Sequence, residues 1–202
     1  MGLTASSEDG REAEVRDRIF SSALRCFSQK GFAATSLREI SEDAQTTKPM
    51  VYYYFRSKEG LYGSIVRQIL EEMAGAIRQG FPGGLAPDEQ AIVYSERYLG
   101  YFIAHEEIIA LVLREVFGLG GASMATFSHT LAQDVRRPLD EVIERGMASG
   151  YFRHDDVQVC ATAITGILNM FILAHVFGGA KIDGAQAINQ VRYYIAGLRA
   201  LD

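Results

Sequence analysis

Residues 35 to 58, Thr-Ser-Leu-Arg-Glu-Ile-Ser-Glu-Asp-Ala-Gln-Thr-Thr-Lys-Pro-Met-Val-Tyr-Tyr-Tyr-Phe-Arg-Ser-Lys, constrain the fold more than any other stretch of the chain. Ser36 followed by Glu39 has the spacing of a capping box, in which each side chain satisfies a backbone N–H left free at a helix start. Leu37, Ile40 and Ala44 then share one side, so the spacing predicts a short helix with one buried face. Thr46 and Thr47 supply a second N-cap, and Pro49 lands in the first turn after it, where a missing N–H and a fixed φ are tolerated. A second helix therefore starts near Thr47. Val51 and Phe55, four apart, turn inward and leave Lys48, Met50, Tyr52 and Tyr53 on other faces. Two short helices joined by a turn of a few residues form the element that sets a helix in the major groove of DNA.

The outward set has the chemistry such a helix requires. Lysine neutralises phosphate or donates to guanine, proline and methionine touch a thymine methyl, and tyrosine hydroxyls donate to phosphate oxygens. An ordinary surface helix is the bland alternative, but three successive tyrosines followed by phenylalanine are more aromatic than solubility favours. Ser57 then caps a third helix, whose N-terminus beside Lys58 is suited to an anion.

Gly31-Phe32-Ala33-Ala34-Thr35-Ser36-Leu37-Arg38-Glu39-Ile40 and Val51-Tyr52-Tyr53-Tyr54-Phe55-Arg56-Ser57-Lys58-Glu59-Gly60-Leu61 resemble the N-terminal domain of the tetracycline-repressor (TetR) family, in a gapless likeness over residues 15 to 65. The resemblance implies an all-α homodimer: an N-terminal three-helix helix-turn-helix domain that binds a palindromic double-stranded operator, and a C-terminal helical domain for dimerisation and a small-molecule inducer. By position it implies phosphate contacts from Thr35, Tyr53, Tyr54 and Lys58, and base-facing roles for Arg38, Lys48, Pro49, Met50 and Tyr52. Ser36 and Thr47, at the two helix starts, complete the DNA-binding set. Gln45 stands where the family has glycine in the turn, and Thr46 where it has a small apolar residue. Gln45 is thus expected to take positive φ, at about 1 kcal/mol.

At 202 residues the chain is long enough for a real core, and 48% hydrophobic with 22% charged residues is an ordinary globular balance. The net charge of −5 looks wrong for a DNA binder until it is divided: residues 1 to 60 carry 9 basic and 9 acidic residues, and residues 61 to 202 carry 11 and 16. Affinity follows the local patch, here Arg38, Lys48, Arg56 and Lys58, which is modest and calls for two half-sites bound together. No apolar run reaches the roughly 20 residues of a membrane span, since the stretch Ile164 to Val176 is interrupted by Gly166, Asn169 and His175. The N-terminus is polar and acidic rather than a signal peptide, so a cytoplasmic location and no membrane partner are expected. Cys26 and Cys160 sit among apolar neighbours as small core residues, forming neither a disulfide frame nor a metal site.

In order, residues 1 to 11 read as a disordered tail, 12 to 56 as the DNA-binding domain and 57 to 202 as the ligand-binding and dimerisation domain, with helix 57–79 as the link. The first helix spans about 12 to 29, with Val15, Ile19, Ala23 and Phe27 inward and Lys30-Gly31 closing it. Beyond Pro87 the pattern is helical at about 88–104, 105–118, 122–149, 155–178 and 184–200, punctuated by glycine. His105-Glu106 and His154-Asp155-Asp156 read as caps. No phosphate loop, nucleophile elbow or paired carboxylates appear, so neither an enzyme nor a cofactor is expected.

The last two helices are apolar around much of their circumference. Ile164, Ile167, Leu168, Phe171 and Ile172 in one, with Val191, Ile195 and Leu198 in the other, are assigned to a four-helix dimer interface. Tyr94, Tyr98, Phe102, Met124, Phe127, Asn169 and His175, with Tyr101 and His129 nearby, are candidates to line an inducer cavity, and as a set they favour an apolar or aromatic ligand. At helical spacing each also fits plain core. This C-terminal sequence carries no family motif. The alternative function is a helical ligand-binding or partner-binding protein without specific DNA recognition.

Overall fold

A computed structural model describes residues 5–105, 111, 134–153, 155–179 and 181–199. They comprise α1 (Ala5–Ala34), α2 (Leu37–Asp43), α3 (Lys48–Phe55), α4 (Lys58–Arg78), α5 (Pro87–Ala104), α6 (Arg137–Ala148), α7 (Val157–Gly178) and α8 (Gly184–Ala196). Residues up to Ile69 belong to one compact unit, and those from Leu70 to 105 and from 134 onward to another, so α4 is shared between them.

In the first unit α1 carries Ile19, Ala23 and Phe27 at four-residue spacing, all fully buried. Phe27 meets Tyr62 of α4 edge-on at 5.0 Å between ring centroids, and Phe32 meets Tyr62 at 5.0 Å. Burying one such ring contributes roughly 2–3 kcal/mol, so this cluster anchors α1 to the start of α4. Leu37 and Ile40 of α2 and Val51 and Phe55 of α3 complete the core. The first helix begins at Ala5, inside the stretch expected to be a disordered tail. At the other end Gly31, at φ 78, breaks the regular helix at the expected glycine, and Phe32 to Ala34 continue as a short helical turn.

In the second unit α5 packs against α6, α7 and α8, and α7 against α6 and α8. Pro87 starts α5, Asp156 caps α7 by accepting from Gln158 and Val159 N–H, and Asp183 caps α8 by accepting from Gln186 N–H at 2.9 Å. His105 closes α5 at the expected boundary, whereas Glu106 and His154 lie outside the described residues. So does the helix expected at 105–118, apart from its first residue and Leu111. Arg97 of α5 donates to the carbonyls of Ile77, Gln79 and Gly80 at 2.7–2.9 Å, satisfying the free carbonyls where α4 ends. The N–H of Arg153 donates to Leu198 O at 2.8 Å, beside the buried Phe152 ring.

Two expectations for the last helices change. Ile164, Leu168, Ile172, Val191, Ile195 and Leu198 are all buried inside their own unit, and Ile167 and Phe171 are half-buried. Six of the eight residues assigned to a dimer interface are therefore core, because α7 and α8 turn those faces toward α5 and α6. Val157–Val176 is also long and apolar enough, by length and composition, to cross a membrane, and 28% of that window is buried. Gly166, Asn169 and His175 interrupt the run without making it polar. The uncovered apolar surface lies on the other side of α7, at Val159 and Met170, and on α8 at Tyr193, which is 81% exposed.

Candidate nucleic-acid interface and effector site

Ser36 caps α2, its hydroxyl accepting from Glu39 N–H at 3.2 Å. The reciprocal half of the expected box is replaced, since the Glu39 carboxylate accepts from Lys30. The turn closes through Gln45 N–H to Glu42 O at 3.1 Å and Thr46 N–H to Ser41 O at 2.9 Å. Gln45 adopts φ 51, the left-handed conformation expected where glycine would be at ease. Arg18 of α1 donates to Ala44 O at 3.3 Å and fixes this turn against its support. Thr47 then caps α3 through its backbone, with no bond from its hydroxyl, and Pro49 takes an early position in the helix.

Val51 and Phe55 point into the core, and the opposite side of α3 faces solvent. Lys48 and Pro49 are exposed, Met50 is half-buried, Tyr52 is about half exposed and Tyr53 is 67% exposed. Lys48 Nζ lies 5.9 Å from the Tyr52 ring centroid. Arg38, also exposed, pairs with Glu42 at 2.8 Å, a bond that any base contact would have to replace. The paired acid raises the Arg38 pKa through that bond and its charge.

Acids on the same unit hold Arg18, Arg25, Lys30 and Arg38. Lys48 on α3, Arg56 at its end and Lys58 at the start of α4 place three cations close together in sequence along the exposed side of this segment. Lys58 Nζ sits 4.4 Å above the Phe32 ring, and Ser57 caps α4 by accepting from Gly60 N–H at 3.0 Å. Arg56 adopts φ 66, a second strained residue that sequence spacing did not reveal.

Two of the predicted contacts are turned inward. Thr35 is only 2% exposed, and its hydroxyl lies 2.8 Å from Gly31 O and 3.1 Å from Cys26 O. That hydroxyl holds the end of α1 rather than reaching for phosphate. The Tyr54 hydroxyl is buried without a partner, and burial raises its pKa.

In the second unit Tyr94, Tyr98 and Phe102 form a row along α5, with centroids 5.9 and 5.0 Å apart. All three are buried, and Tyr98 donates to Asn169 Oδ1 of α7 at 2.9 Å. His175 lies half-buried on the same helix. Met124, Phe127 and His129 lie outside the described residues. Sequence reading missed Arg136, at the N-cap of α6, and Asp140 in its first turn, where Arg136 Nε lies 3.1 Å from Asp140 Oδ1 and Arg136 also bonds Thr162 and Gln158 of α7. Their i, i+4 spacing was the available signal.

Residues 19–65 match the family model described as "Bacterial regulatory proteins, tetR family", and residues 84–172 match "Tetracyclin repressor-like, C-terminal domain". The chain is 31% identical over 163 residues to the HTH-type transcriptional repressor NicS of Pseudomonas putida, covering 80% of this chain and 73% of that one. The chain belongs to the TetR family. Its C-terminal half, where no motif was legible, is thus part of the same likeness. As a TetR-family protein it is a DNA-binding transcriptional regulator with an all-helical fold. Its N-terminal region is 51% identical over 53 residues to the HTH-type transcriptional regulator RutR of Escherichia coli, which is 26% of this chain and 25% of that one. The fold is also that of the transcriptional regulator FadR from Bacillus subtilis, crystallised with stearoyl-CoA: TM-score 0.76 at 16% identity, covering 91% of this chain and 99% of that one.

Proposed function

We propose that this TetR-family regulator is a cytoplasmic, homodimeric repressor that grips a palindromic operator with two copies of α3 and releases it when a small, largely apolar ligand binds among the C-terminal helices. The observation that carries the DNA-binding half is the division of α3: Val51 and Phe55 locked in the core, and Lys48, Pro49, Met50, Tyr52 and Tyr53 presented on the other side. Lys48, Tyr53 and Lys58 hold phosphate, while Arg38, Met50, Pro49 and Tyr52 face base edges. Repression follows the name carried by NicS.

The second copy docks on the outer face of α7 and α8, where Val159, Met170 and Tyr193 are exposed among Gly166, Ala174 and Ala196. Small residues between large apolar ones permit close helix approach, and pairing covers surface that is costly to leave wet. The aromatic row of α5 favours an apolar ligand. Because Arg97 ties α5 to the end of α4, displacement of α5 reaches the helix that continues into the DNA-binding unit. Two reading helices must be spaced by about 34–36 Å of duplex, so a small displacement breaks register. A shift of about 3 kcal/mol between the two conformations changes operator affinity about a hundredfold.

A gel shift with DNA from upstream of the chain's own gene tests this reading. The expected result is a retarded band that survives excess random duplex and weakens steeply with salt. A band competed equally by random DNA contradicts it.

A further inference from the structure

An ammonium group is held in place by a carboxylate or by the face of an aromatic ring, and the two differ in what they leave behind. A carboxylate cancels the charge, whereas a ring attracts the cation through its quadrupole and leaves the positive charge whole. Both devices occur in the N-terminal unit. Lys30 and Arg38 are tied to Glu39 and Glu42. Lys58 Nζ stands over the Phe32 ring, 4.4 Å from its centroid. That ring is not free to follow the lysine. Gly31, at φ 78, turns the chain out of the regular helix, and Phe32 then stacks on Phe27 at 5.8 Å and meets Tyr62 at 5.0 Å between centroids. Phe27 is fully buried and Tyr62 is nearly so, so the ring beneath Lys58 is braced by the core. Lys48 offers the contrast, since its Nζ lies 5.9 Å from Tyr52, a ring that is itself about half exposed. Lys58 opens α4, where Ser57 accepts from Gly60 N–H at 3.0 Å. The Glu59 carboxylate is drawn to its own backbone N–H and to the Ser57 hydroxyl, which, with a smaller influence of Lys58, hold its pKa below the ordinary value.

We propose that Phe32 is a positioning residue for DNA binding: its ring pre-sets the Lys58 ammonium at the start of α4, so that it meets backbone phosphate already placed and still fully charged. A free lysine must surrender much of its rotamer freedom to hold a phosphate, and the ring takes part of that loss before DNA arrives. Phe32 itself touches no DNA in this scheme. Attraction of a cation to a ring at a partly exposed site corresponds to about a two- to fivefold effect on binding. The assignment rests on the phosphate role of Lys58 given above and deepens it by naming the side chain on which that role depends.

The test is a double-mutant cycle on the full-length protein, read by anisotropy with a random-sequence duplex at several salt concentrations, since phosphate contacts need no particular sequence. Lys58→Ala is expected to weaken binding about fivefold and to lower the salt slope by about one. Phe32→Leu is expected to weaken it about threefold, and the double variant to bind no more weakly than Lys58→Ala alone. Phe32→Tyr, which keeps a ring face, should stay within about twofold of the native protein. Because Phe32 also packs against Phe27 and Tyr62, pentafluorophenylalanine at position 32 takes the place of leucine in the cycle if Phe32→Leu fails to melt cooperatively. It keeps the ring and its shape, reverses the quadrupole, and should lose affinity as Phe32→Leu does. Additive losses in the double variant, native affinity with the fluorinated ring, or a Phe32→Tyr variant as weak as Phe32→Leu would each overturn the assignment. Native affinity for Lys58→Ala alone would overturn it at the root, by removing the phosphate contact on which it rests, so the two failures show in different variants.

Discussion

The two units solve opposite problems with the same helices. In the N-terminal unit the core is ordinary and the function lies outside: Val51 and Phe55 are buried so that Met50, Tyr52 and Tyr53 are held in the open. In the C-terminal unit the aromatic row is inside, with Tyr94, Tyr98 and Phe102 buried and Tyr98 bonded to Asn169, while the outer face of α7 and α8 carries the exposed apolar residues. Reading DNA requires rigid presentation, whereas sensing a small molecule requires an interior that is incomplete without it. The exposed side of α3 in one unit, and the buried aromatic row of α5 in the other, are the marks of that difference.

Rigidity should therefore be least negotiable in the N-terminal unit. A Cβ at Gly60 would overlap the backbone carbonyl oxygen of Phe55, which cannot move without shifting the junction of α3 and α4. A Cβ at Gly146 would overlap the Phe152 ring, a side chain with some freedom to swing. Denaturant unfolding of the full chain is expected to show Gly60→Ala destabilised by about 3 kcal/mol and Gly146→Ala by about 1–2 kcal/mol. The reverse order would break the comparison.

Next in size are the DNA contacts. Met50→Ala should weaken operator binding by about 1–2 kcal/mol and leave random DNA nearly unaffected, as the base-facing role proposed for it requires. Lys58→Ala should weaken both by about 1 kcal/mol and reduce the salt slope by about one, as the phosphate contact proposed for it requires. Anisotropy titrations with both duplexes at several salt concentrations separate the two, and equal losses on both DNAs for Met50→Ala would refute its base-facing role.

A smaller gain is expected at the turn. Gln45→Gly relieves a positive φ at the expense of a looser unfolded chain, so thermal melts should show a net stabilisation of roughly 0.5 kcal/mol. The smallest effect concerns acid. Burial would raise the Asp88 carboxyl, but bonds from Tyr151 at 2.7 Å and from Arg199 more than offset it, and its pKa lies below the ordinary value. A carboxylate depressed in the folded state stabilises above its unfolded pKa of about 3.9 and loses that contribution as pH falls through the folded value. Asp88→Asn should therefore cost a little stability at pH 7 and progressively lose that deficit as pH falls below about 4, flattening the acid limb, as melts across that range would reveal.

What was legible in the sequence follows the same division. Caps and punctuation at Ser36, Thr47, Pro49 and Ser57 placed the short helices, and the strain at Gln45 was expected from the missing glycine, because these are local effects written in adjacent residues. Thr35 was misjudged because a hydroxyl near a helix start serves phosphate or carbonyl equally well, and only the tertiary position of Gly31 and Cys26 decides. In the C-terminal unit periodicity marked α5, α7 and α8 but not which apolar face met which neighbour. Ile164, Leu168 and Ile172 were therefore assigned to a partner subunit although α7 buries them in its own unit. The Arg136–Asp140 pair passed unnoticed although its i, i+4 spacing was visible, because spacing does not say that the pair packs half-buried against α7.

The account rests on the outer face of α3 reading base sequence. Selection of tight binders from a random duplex pool, carried out with the native protein and with Met50→Ala, tests it most directly. An inverted-repeat consensus that loses definition at the same positions of both half-sites in the variant is the predicted result. An unchanged consensus, or no enrichment for the native protein, would contradict it.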